Sequence, residues 1–111
     1  MNHKLLKYLY DIDESINSIF QYLGDKRDFA LYQSNKILRR AIEREIEIIG
    51  EAVNNILKIE PDFEIKNAKN IIATRNIVIH NYDKVDDVII WGIVSIYLPK
   101  LQEEISKYLK T

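Results

Sequence analysis

The chain has no cysteine and only two histidines. The first absence excludes disulfides, thiolate nucleophiles and zinc sites built on sulfur, and His3 and His80 stand too far apart in sequence to suggest a metal cage. The expectation is therefore chemistry without a metal or a cofactor. An excess of basic charge is also missing: 16 Lys and Arg face 17 Asp and Glu, for a net charge of −1. A protein that coats nucleic acid through a broadly basic surface needs many more cations than acids, so only a local basic site remains open. No apolar run approaches the length of a membrane span. The N-terminus, "MNHKLLKYLYDIDESI", has acids where a signal peptide would be apolar and offers no small-residue cleavage site, which points to a cytoplasmic protein.

What is present is a helical pattern. With 47% hydrophobic and 30% charged residues in 111, the composition is that of a folded globular chain, and the length reads as a single domain, 1–111. Leu5, Leu9, Ile12, Ile16, Ile19 and Leu23 recur at alternating intervals of four and three, one face of a helix that Gly24 is suited to end. After the polar link "GDKRD", Leu38, Ile42, Ile46 or Glu45, Ile49, Val53 and Ile56 define a longer second helix that stops before Pro61. Its outer surface carries a basic row, Lys36, Arg40 and Arg44, and an acidic row, Glu43, Glu47 and Glu51, which reads as a solvated face of helix-stabilising pairs, with a partner or RNA surface as the alternative. Gly50, within "EIIGEA", costs a helix roughly 1 kcal/mol relative to alanine, so it marks a close approach of another helix. A third helix, "NAKNIIATRNIVI", is rich enough in isoleucine to suit a strand, but no partner strand is available. The last helix starts near Val85 with Asp83 or Asp86 as its cap. It directs Val85, Val88, Ile89, Trp91, Ile93, Ile96, Leu101 and Ile105 inward, with Pro99 kinking it or splitting off a short fifth helix. Four one-sided helices with short links predict an all-α, antiparallel four-helix bundle.

One stretch is not explained by packing. "RNIVIHNYDK", residues 75–84, ends the third helix with an arginine, a histidine and a tyrosine within eight residues. Arg75 and His80 are about 140° apart on an ideal helix, so they converge only if the helix stops near His80, where Asn81 and Asp83 favour a turn. A histidine at a helix C-terminus is favoured in its protonated form by the exposed carbonyls and exchanges protons near neutral pH. An arginine holds two phosphate oxygens with its planar fork. On an RNA strand, a base that takes the 2′-hydroxyl proton lets that oxygen attack the adjacent phosphorus, with the arginine balancing the charge that develops.

Arg75, the polar Asn76 after it, His80 after four intervening residues and Tyr82 one position beyond form an ordered motif. Together with "AIEREIEIIGEA" at 41–52 and "VDDVIIWGIVSIYLPKLQEEI" at 85–105, this motif resembles the HEPN superfamily, and within it the HepT-like ribonuclease toxins of toxin–antitoxin pairs. Asn81 departs from the glycine common between the histidine and the tyrosine. The resemblance implies a symmetric homodimer whose two motifs share a cleft, and a metal-independent endoribonuclease with Arg75 and His80 catalytic and Asn76 supporting them. It also implies a partner, a minimal nucleotidyltransferase antitoxin of the MntA kind, which neutralises the toxin by transferring AMP to Tyr82. A non-catalytic scaffold for such a transferase is the competing reading.

Overall fold

A computed structural model describes residues 2–25, 27–80 and 86–109, and for Ile77, Ile79 and His80 the backbone alone. The described residues contain helices and no strand: α1 (His3–Leu23), α2 (Phe29–Ser34), α3 (Lys36–Ile59), α4 (Ala68–His80), α5 (Asp87–Gly92), a π-helical turn (Ile93–Tyr97) and α6 (Leu98–Leu109). The isoleucine-rich third segment is thus helical through His80. His3 is the first residue of α1, because the Asn2 side chain accepts from the amides of Lys4 and Leu5. Gly24 ends that helix at φ 70°, a left-handed conformation that side chains with a Cβ disfavour.

α3 is the spine. Along it α1 runs antiparallel, so that Tyr22 near the end of α1 donates to Glu45 at 2.9 Å, while Tyr8 near its start lies beside Asn55. α4 runs antiparallel on another side, with Arg75 beside Gly50 and Val78 beside Arg44. α6 returns along α1, where the Gln102 amide donates to Asp13 at 3.2 Å and to Asn17 at 2.7 Å. The isoleucines that set the periodicity are those with no exposed surface, among them Ile12, Ile16, Ile19, Ile42 and Ile56. Each such side chain removed from water stabilises the fold by roughly 1.5–3 kcal/mol.

Three expectations need correction. The six-residue α2 is absent from the sequence reading. Asp28 caps it, and it folds back so that Phe29 and Tyr32 pack on Trp91 at ring-centroid distances of 5.6 and 5.3 Å. The inward face of the last helical arm is also different: Ile90, Val94 and Leu98 are buried, whereas Val88, Ile89 and Ile96 are exposed. Almost every residue of that arm is apolar, so periodicity could not fix its phase. The arm turns further at the π-helical stretch, where the Leu98 amide reaches back to the Ile93 carbonyl. Pro99 follows directly, so the helix widens just before the residue that lacks an N–H. Asp86 rather than Asp83 caps the described start of α5, accepting from the Val88 amide at 2.8 Å; Asp83 and Val85 lie outside the described residues. Finally, Glu43 is buried, not part of a solvated row.

Candidate functional site

α4 is set against α3 by Ala68, Ile71, Thr74 and Val78, all buried and spaced by three or four. Arg75 follows Thr74 and lies one turn beyond Ile71, at the edge of this stripe, which makes it half-buried. Its stem crosses α3 at Gly50. A Cβ built on that glycine would come within 2.7 Å of Arg75 Cγ and nearer still to its Cβ, so no other residue type fits there without displacing the arginine. The compensation demanded by a mid-helix glycine is therefore the seat of Arg75.

Beyond the stem the guanidinium is held by its neighbour in sequence: Nη1 donates to Asn76 Oδ1 at 3.1 Å. Asn76, which the resemblance casts as a supporting residue, grips the arginine among the described residues. The Arg75 Nε is buried and has no hydrogen-bond partner among the described residues, leaving a donor of a cationic group unused. His80 is the last residue of α4. Its side chain lies outside the description, as does the whole of Tyr82, so the convergence of Arg75, His80 and Tyr82 is not part of this geometry.

The wall facing this end of α4 comes from α3. Arg40, Glu43, Arg44 and Glu47 line a groove of about 350 Å³ together with Val78, which lies midway between Arg75 and His80. Arg40 Nη1 pairs with Glu43 at 2.9 Å and Arg44 Nη1 with Glu47 at 3.4 Å. Sequence reasoning took these residues for an outer face, which holds for Arg40 and Arg44 but not for Glu43. The missed signal is that Glu43 stands three residues before Ile46 and seven before Gly50, hence on the inward side of the helix. At the α2 end of the same wall Tyr32 is fully buried, and its hydroxyl has no partner among the described residues. Burial pushes this phenol above its ordinary titration range; the nearby carboxylates of Asp87 and Glu43 add to the shift, and Arg39 opposes it. No group of three His, Asp or Glu side chains able to hold a metal occurs among the described residues.

The described residues thus define a small all-α protein, with Arg75 seated on a glycine of the neighbouring helix and His80 five residues later at the end of α4. Residues 12–108 match the family model described as "Ribonuclease HepT-like", and the chain belongs to that family. It is 37% identical over 101 residues to "Putative RNase MJ1380" of Methanocaldococcus jannaschii, covering 88% of this chain and 90% of that one. To "Gamma-glutamylcyclotransferase and putative RNase MJ0434" of the same organism it is 38% identical over 104 residues. That match takes in 93% of this chain and 46% of the longer relative. It is also 34% identical over 86 residues to "Putative RNase TTE0752" of Caldanaerobacter subterraneus subsp. tengcongensis, 74% of each chain. No solved structure matches it. No helix among the described residues is long and apolar enough to cross a membrane.

Proposed function

We propose that this protein is the toxin of a toxin–antitoxin pair, a metal-independent endoribonuclease in which Arg75 and His80 act on one RNA phosphate. The observation that carries the reading is the seating of Arg75. A glycine is kept in the middle of a long helix so that this side chain can lie flat across it, and its neighbour Asn76 holds the guanidinium. Packing alone would favour alanine at position 50 and an uncharged residue at position 75. In the reaction His80 takes the proton of a ribose 2′-hydroxyl and the oxygen attacks the adjacent phosphorus. The bond to the 5′-oxygen breaks, and a returned proton completes a 5′-hydroxyl opposite a 2′,3′-cyclic phosphate. Arg75 balances the charge that builds on the phosphoryl oxygens.

The active form is a homodimer with two motifs at one cleft, for which the exposed Val88, Ile89 and Ile96 supply uncovered apolar surface. Its antitoxin is a minimal nucleotidyltransferase of the MntA kind. That enzyme moves AMP from ATP to the Tyr82 hydroxyl with release of pyrophosphate, setting a phosphodiester charge two residues from His80 and repelling RNA.

The test incubates end-labelled single-stranded RNA with purified protein in EDTA and analyses the product ends. Cyclic-phosphate products are expected, with losses of about 10²- to 10⁴-fold for His80→Ala and of comparable size for Arg75→Ala, in variants that melt like the parent. Prior treatment with the transferase and ATP should add AMP to Tyr82 and stop cleavage. Cleavage unaffected by either substitution overturns the assignment. No cleavage at all, combined with a stable complex with the transferase, replaces it with the scaffold reading.

A further inference from the structure

The groove on α3 has a composition that helix stabilisation does not explain. An exposed i,i+3 pair places both partners in water, where each keeps its hydration and the pair contributes little. Here the partners are sorted by depth. The Glu43 side chain retains 7% of its exposure and that of Glu47 30%, whereas Arg40 and Arg44 retain 49% and 64%. Carboxylates sit inside and guanidinium groups outside. Burying Glu43 is costly unless a cation stays beside it, and Arg40 is its partner within ion-pair distance among the described residues. Glu43 thus anchors the Arg40 guanidinium, engages Nη1, and leaves the rest of the donor fork directed to solvent. An anionic chain entering the groove meets the two cations before the two acids.

The position of the groove indicates which anion. Val78 forms part of its lining, on the turn of α4 that joins Arg75 to His80, so a strand whose scissile phosphate lies at that end of α4 runs its flanking phosphates past α3. A spacing of four residues puts Arg40 and Arg44 on one face, about 6 Å apart along the axis, similar to the distance between successive phosphates of an extended single strand. We infer that Arg40 and Arg44 form a phosphate track for single-stranded RNA beside the cleavage motif, with buried Glu43 as the positioning residue for Arg40. The inference rests on the nuclease reading for its choice of substrate but makes a separate prediction about binding.

The measurement is fluorescence anisotropy of a labelled mixed-sequence RNA oligonucleotide on full-length His80→Ala protein, which separates binding from cleavage, over a range of salt. Arg40→Ala and Arg44→Ala should each weaken binding about 5- to 10-fold and reduce the slope of log K against log salt by about 0.7, one phosphate contact apiece. Lys58→Ala makes the same charge change near the far end of α3 and should shift affinity less than about twofold. Glu43→Gln removes a negative charge, so simple electrostatics requires tighter binding; loss of the Arg40 anchor requires weaker binding, which is the expected result. Arg40→Ala strands a buried carboxylate. Should that variant fail to fold, Arg40→Ala with Glu43→Gln, together with Arg44→Ala, provides the same readout. Unchanged affinity and slope in the arginine variants overturn the track, even if the parent cleaves RNA; tighter binding by Glu43→Gln overturns the positioning role. A parent that never cleaves RNA, in a background where Arg40 and Arg44 still carry binding, overturns the nuclease and leaves the track standing. RNA that does not bind at all overturns both.

Discussion

Replacing Gly50 by alanine sets two magnitudes of opposite sign against each other. In an unobstructed helix the change stabilises by about 1 kcal/mol, because alanine loses less backbone entropy on folding. Here the new methyl would approach Arg75 Cγ to 2.7 Å and Cβ more closely still. Carbon atoms in good contact are about 3.5–4.0 Å apart, so the overlap is on the order of 1 Å. Both Cβ atoms are fixed to their backbones, and no rotamer change can separate them. Relief requires α4 to move away from α3, an overpacking cost at the upper end of about 1–3 kcal/mol. The net expectation is a loss of roughly 2 kcal/mol, or a melting temperature about 8 °C lower at about 4 °C per kcal/mol.

Because Arg75→Ala keeps the offending Cβ, Gly50→Ala should still destabilise in that background. Arg75→Gly removes it, and there Gly50→Ala should stabilise by about 1 kcal/mol. Urea unfolding of the four proteins completes the cycle. A parent-background Gly50→Ala that melts higher than the parent, or a penalty unchanged by Arg75→Gly, would refute the argument that the glycine exists to seat the arginine.

Tyr32 makes stability depend on alkaline pH. Its neutral phenol is favoured in the folded protein, and the raised folded titration point means the stabilisation is complete below the ordinary phenol pKa of about 10 and is lost as pH rises beyond it. Unfolding free energy from urea titrations should therefore fall by up to about 1.4 kcal/mol per pH unit above pH ~10, and Tyr32→Phe should remove this component while costing little near neutrality. An identical alkaline slope in parent and Tyr32→Phe would disprove it. For assembly, sedimentation should give a particle of about 26 kDa, twice the 13.1 kDa chain, with Ile89→Asp or Ile96→Asp shifting it to the monomer mass. A parent that sediments as a monomer at tens of micromolar excludes the proposed dimer.

Periodicity determined by itself the all-α class, the faces of α1 and α3, and the stop at Gly24, since a repeat of 3.6 residues and a left-handed glycine are local properties. The motif of Arg75, Asn76 and His80 stands out only through its resemblance to a family, since an arginine and a histidine near a helix end are by themselves ordinary; the described geometry adds the seat of Arg75 on Gly50. Tertiary structure decided what local rules leave undetermined. The last arm is apolar on nearly every side and α4 mixes apolar and polar residues all round, so their inward faces depended on which helix packed against them. Gly50 announced a close contact without naming its partner. Glu43 looked solvated because alternating charges on a helix usually are, until the fold brought Val78 of α4 and Tyr32 of α2 near it. A sequence records which side chains a helix carries, whereas their burial and the meaning of their charge depend on neighbours far away along the chain.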